Sequence, residues 1–111
     1  MTDSLADRLR AAIDNEQVYA ETADHLSRQD SVSLLRRCAA DRKILDAWDA
    51  NERELAANSA EFSRPARPME DEAERFRRLG NAKAQGWELR GRQWALRLAL
   101  TGLAEYYEVE A

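Results

Sequence analysis

The longest unbroken pattern in this chain runs from Ser31 to Phe62, thirty-two residues without proline or glycine. Its periodic positions alternate between spacings of four and three: Leu34, Cys38, Asp41, Leu45, Trp48, Glu52, Leu55, Ser59 and Phe62. Six of the nine are apolar, which places one stripe along a long helix that must bury against another helix. At 1.5 Å per residue that helix is about 45 Å long. So long a helix in so short a chain implies a rod-like shape or a partner over its exposed end.

Before it, Leu5, Leu9, Ala12, Ile13, Tyr19, Ala23 and Leu26 follow the helical period, with Glu16 interrupting the seam. Thr2 or Ser4 is suited to cap this first helix, and Asp3 and Asp7 suit its first turn. The polar hinge Ser27–Ser31 ends it near Arg28 and folds the next helix back antiparallel, with Asp30 or Ser31 as cap. Arg42 or Lys43 is placed to pair with Asp46 or with acids of the first helix.

Ser63–Pro68 carries two prolines three apart and breaks the pattern. Pro68 suits the first position of a short helix over about 69–79, bearing Met69, Ala73, Phe76 and Leu79 and ending in a Gly80–Asn81 cap. A last helix over about 82–108 holds Trp87, Leu89, Trp94, Leu96, Leu98, Leu100, Leu103, Tyr106 and Tyr107. Gly86 and Gly91 inside it mark a kink, a delayed start or a close helix approach, because each costs about 1 kcal/mol against alanine. The expectation is an all-α single domain over residues 1–111. It is an elongated antiparallel bundle of three long helices, about 3–28, 31–62 and 82–108, plus the short one.

Composition narrows the class. With 44% apolar and 34% charged residues the chain is too apolar for disorder and too charged for a membrane protein. Trp94–Ala104, broken by Arg97, falls short of the roughly 20 residues that span a bilayer. The polar, acidic N-terminus does not read as a secretory signal. Cys38 is the only cysteine and reads as a small core residue in a reducing cytoplasm. Fifteen arginines against two lysines fit a GC-rich genome, and the net charge of −4 argues against general nucleic-acid binding.

Candidate chemistry is sparse. His25 is the sole histidine, with Glu21 four residues before it. A di-metal carboxylate bundle needs a histidine on each of two helices. The expectation is therefore a surface histidine, no metal and no cofactor. Acid pairs three apart (Asp46 and Asp49, Asp71 and Glu74, Glu105 and Glu108) are similar to the magnesium sites of all-α nucleotide pyrophosphohydrolases. With 21 acids in the chain, such pairs also arise by chance. No nucleophile–histidine system and no phosphate-binding glycine loop is present.

Arg75–Arg97 stands apart, with seven cations against the single acid Glu88, whereas the chain through Phe62 has eight cations and thirteen acids. Trp87 and Trp94 share a helical face. Arginines around tryptophans characterise core edges and protein–protein hot spots, and they can also grip phosphates and stack bases.

His25-Leu-Ser-Arg-Gln-Asp-Ser-Val-Ser-Leu-Leu-Arg-Arg-Cys-Ala-Ala-Asp-Arg-Lys-Ile-Leu45 resembles a domain-of-unknown-function family of small helical proteins from actinobacteria and their phages. The matching residues are His25, Arg28, Asp30, Leu35, Arg36, Arg42, Lys43, Ile44 and Leu45, and the similarity covers Leu5–Trp48. Ser31 stands where family members commonly have proline. The resemblance implies an actinobacterial or phage origin and a turn at His25, Arg28 and Asp30, and it implies no activity.

The sequence therefore predicts a non-enzymatic, cytoplasmic interaction module that dimerises or binds a host protein and does not enter a membrane. Its expected surface is Trp87, Arg90, Trp94, Arg97, Tyr106 and Tyr107. The first alternative is a nucleic-acid-associated protein using Arg75, Arg77, Arg78, Lys83, Arg90 and Arg92. The second is a magnesium-dependent enzyme of the pyrophosphohydrolase type.

Overall fold

The computed structural model describes residues 4–111. Every regular element among them is helical: α1 (Leu5–Thr22), α2 (Arg28–Ser63) and α3 (Glu72–Tyr106). The chain forms two compact units, one of α1 with the chain up to Ala47 and Leu96–Ala111, the other of Trp48–Ala95.

Capping explains where the helices begin. Ser4 and Asp7 form a reciprocal capping box at the start of α1, which satisfies two amide groups that lack intrahelical partners. The alternative cap Thr2 lies outside the described residues. The helix stops at Thr22, earlier than the expected Arg28. Ala23 turns to an extended conformation while its amide donates to Tyr19 O at 2.9 Å. The cap of α2 is Ser27 and not Asp30 or Ser31: Ser27 Oγ accepts from the Asp30 amide at 3.1 Å. Asp30 instead sits in the first turn, where its charge suits the helix dipole.

The expected short helix at 69–79 does not exist as a separate element. Pro68 lies in a turn, closed by the Glu70 amide donating to Arg67 O at 3.0 Å, which uses its fixed φ without starting a helix. Asp71 is the cap of α3, its Oδ1 accepting from the Glu74 amide at 2.8 Å. The helix then runs through Gly80–Asn81 without a break, and no glycine takes a positive φ. The penalty for glycine within a helix is outweighed because Ala82, Gly86 and Leu89 all bury on α2.

In the first unit the core is Leu9, Ile13 and Ala20 from α1, Cys38 and Leu45 from α2, and Leu100, Leu103 and Ala104 from α3. Arg42 pairs with Asp14 at 2.7 Å and donates to Gln17 Oε1 at 2.6 Å, joining α2 to α1 as its position predicts.

In the second unit the inward face of α2 is not the expected one. Beyond Trp48, the predicted seam residues Glu52 and Ser59 are exposed, and Phe62 is half-exposed. The inward positions are Asn51, Leu55 and Asn58. Both asparagines are buried, at 4% and 7% exposure. Asn51 Nδ2 donates to Leu89 O at 3.0 Å and Asn58 Nδ2 to Ala82 O at 2.8 Å. Seven residues separate the donors and seven separate the acceptors, so the antiparallel pair is pinned at two points. Gly86 lies between these acceptors, and a Cβ built there would stand 2.9 Å from Asn58 Oδ1. Gly86 is thus the close-approach glycine. At Gly91 a Cβ would meet nothing within 4 Å.

The contact at Gly86 makes the two kinds of glycine separable. Gly86→Ala should lower stability by about 1–3 kcal/mol despite its gain in helix propensity. Gly102→Ala, where a Cβ meets open space, should raise it by about 0.5–1 kcal/mol. Denaturant unfolding followed by circular dichroism checks both signs.

Candidate interaction surface

With Ala82, Gly86 and Leu89 turned inward, the opposite side of α3 faces solvent. That side carries Phe76, Trp87 and Trp94, at 82%, 65% and 68% exposure. The two indoles share a face, as their spacing predicts. They are not core. Arg90 lies between them, its guanidinium carbon 5.9 Å from the Trp87 ring centroid, a cation–π arrangement. Ala84 and Gly91 lie on the same face at helical spacing and leave shallow ground beside each indole.

The remaining residues of the expected surface behave differently. Tyr106 and Tyr107 belong to the first unit. Tyr106 is capped by the Arg37 guanidinium at 3.3 Å from its ring centroid and meets Tyr107 edge-on. Tyr107 is half-buried and donates its hydroxyl proton to Asp41 Oδ2 at 2.6 Å. Asp41 is itself buried, with Arg37 3.7 Å away. These residues lock α3 to α2, and Tyr107 is packing rather than display. Burial first, and then the bond to Asp41, push the Tyr107 hydroxyl well above its ordinary value. Arg97 is exposed in the same unit.

The basic set proposed for nucleic acid is divided. Arg78 is held between Glu70 Oε1 at 2.7 Å and Glu61 Oε1 at 3.1 Å, which ties the Ser63–Asp71 connection onto both helices. Its bond to Glu70 holds that carboxyl below the usual range. Arg92 pairs with Glu88 at 2.6 Å and approaches Glu54 at 3.7 Å. Arg75, Arg77, Lys83 and Arg90 remain exposed. Two of the six expected cations are therefore already answered by carboxylates.

At the turn between α1 and α2, His25 Nε2 and the Tyr19 hydroxyl lie 2.7 Å apart, with their rings edge-on. Arg28 opens α2 and is exposed. Glu21 accepts from Gln17 and is occupied away from His25. Among the described residues no three histidine, cysteine or acidic side chains come together in a metal-holding group. Asp71 and Glu74, one of the acid pairs, meet instead as a helix cap.

Asn51 and Asn58 were missed at the sequence level, although their spacing continues the helical stair from Trp48. No helix is long and apolar enough to cross a membrane among the described residues. No family model, curated protein or solved structure matches the chain.

The Tyr107–Asp41 bond gives stability a pH dependence. The folded-state pKa of Tyr107 is raised, so its contribution is complete below the unfolded value of about 10 and is lost as pH rises beyond it. Between pH 9 and 11 the parent chain should lose more stability than Tyr107→Phe. At pH 7 that variant should be weaker by about 1–3 kcal/mol, because Asp41 loses a donor while still buried. Denaturant unfolding across this pH series measures both effects.

Proposed function

We propose that this chain is a non-enzymatic interaction module that self-associates through the outward face of α3. The observation that carries the reading is the pair of indoles at Trp87 and Trp94, both about two-thirds exposed on one helical face. Paired large aromatics displayed with an arginine between them have the composition of protein–protein hot spots. Helix packing already satisfies the other side of α3, so burying these rings needs a second molecule.

The scale of the association follows from area. A tryptophan buries up to about 250 Å². Four indoles contributed by two chains, each already one-third covered, supply roughly 400–700 Å². That is below the roughly 1,200 Å² of standard interfaces, so the dimer is concentration-dependent. Binding of a host protein by the same face is the accessory role that goes with an actinobacterial or phage origin. That origin rests on the resemblance of Leu5–Trp48 alone. The nucleic-acid reading draws on Lys83 and Arg90 beside the indoles and is weakened by the pairing of Arg78 and Arg92.

Sedimentation equilibrium tests the reading. The parent chain should show a mass that rises with concentration toward a dimer. The double variant Trp87→Ala/Trp94→Ala should remain monomeric with unchanged helicity. A parent chain that stays monomeric at millimolar concentration overturns self-association. Retention of a short single-stranded DNA in a low-salt gel shift would move the assignment to nucleic acid.

A further inference from the structure

The outward face of the second unit holds more than two indoles. Ala84, Trp87, Gly91 and Trp94 follow one another at spacings of three, four and three, alternating small and large. Such spacing is the seam of a two-helix contact in which each large side chain enters a gap beside small ones. All four positions except Gly91 carry a Cβ, and at Gly91 a Cβ would meet nothing in its own chain. The bare backbone there therefore serves no packing within its own chain.

The flanks of the seam carry opposite charges. Lys83 and Arg90 each stand one residue before a small seam position, on one side. Glu88 stands one residue after Trp87, on the other side. All three are exposed. This asymmetry distinguishes the two ways of pairing a helix with its own copy. An antiparallel two-fold sets like flank against like flank, so the Lys83–Arg90 row meets itself. A parallel two-fold sets opposite flanks together, and a residue before one seam position then meets the residue five further on in the partner helix. That offset leads from Lys83 to Glu88. Glu88 Oε1 already accepts from Arg92 at 2.6 Å, and the second carboxylate oxygen remains for an additional cation.

We propose that the occupant of this face is a second copy of the chain, with the two α3 helices parallel and Lys83 of each copy meeting Glu88 of the other. The inference rests on the self-association reading and adds its geometry. Trp87 of the two copies stand side by side, with Ala84 and Gly91 giving the rings room above and below. The symmetry is closed, so the contact ends at a dimer.

The test uses the full chain. Ala84→Cys places a thiol on the seam, where parallel copies bring it opposite itself within disulfide reach, about 6 Å between Cα atoms. The native Cys38 is buried, so the parent chain is the control for background linkage. Mild oxidation should give a disulfide-linked dimer with Ala84→Cys and none with the parent. Adding Trp87→Ala and Trp94→Ala should abolish the link.

Charge exchange gives a second readout. Two symmetric contacts turn from attractive to repulsive in Lys83→Glu, which should weaken association about tenfold. Lys83→Glu with Glu88→Lys should restore it to within about twofold. Circular dichroism confirms that each variant is folded. A parent chain that dimerises while Ala84→Cys stays reduced, or while Lys83→Glu tightens association, overturns the parallel arrangement and leaves self-association standing. A monomeric parent chain overturns both.

Discussion

The register of α2 against α3 is fixed by amide side chains buried between two helices. Asn51 and Asn58 each add a donor to a helical carbonyl that the backbone has already used once. A slip of one residue would misplace both bonds together, and Gly86 would no longer lie opposite Asn58. An apolar seam alone tolerates such slips, because leucine packs nearly as well one step along. Buried asparagine is known for this effect in coiled coils, where it specifies register at some cost in stability. The cost is visible here too, since Asn51 Oδ1 is buried without a hydrogen-bond partner. The same contacts set the rotation of α3 about its own axis. Once Ala82, Gly86 and Leu89 point inward, Trp87 and Trp94 have only the solvent side.

Electrostatics does a different job at the connection between these helices. Two prolines prevent the chain from continuing as a helix, and the Ser63–Asp71 segment has little apolar surface to hold it in place. Arg78 reaches back from α3 to both Glu61 and Glu70. The guanidinium fork suits this double task because it donates in several fixed directions at once. An arginine in the middle of a basic run thus reads as a ligand-binding charge in the sequence, and proves to be an internal clasp in the fold.

The existence of the helices was legible because their periodic stretches are long and their breaks are chemically sharp. Their orientation was less so. On α3 two apolar stripes compete at the same helical spacing, one through Leu89, Leu100 and Leu103, the other through Trp87, Trp94 and Leu98. Hydrophobicity alone does not choose between them. What decides is steric: only the Gly86 side admits the Asn58 side chain. On α2 two stairs continue from Trp48, one by Glu52 and one by Asn51. Each has polar steps, and an amide that bonds across to another helix is indistinguishable in sequence from one in water. The absence of a separate short helix has a related cause. Gly80–Asn81 has the residues of a helix stop, but burial just beyond it outweighs the local preference. Of the two tyrosines near the C-terminus, Tyr106 stays exposed while Tyr107 turns inward to bond Asp41, a difference that adjacent identical residues do not reveal in sequence.

Cys38 lies on α2 with its sulfur 3.9 Å from the Ile13 carbonyl of α1, and burial pushes its thiol above the ordinary value. A thiol reagent in native buffer meets neither an open path nor much thiolate. It can react only when α1 lifts away. The rate of that single alkylation therefore clocks how often the first unit breathes, and the protein carries its own reporter of local opening without any label being introduced.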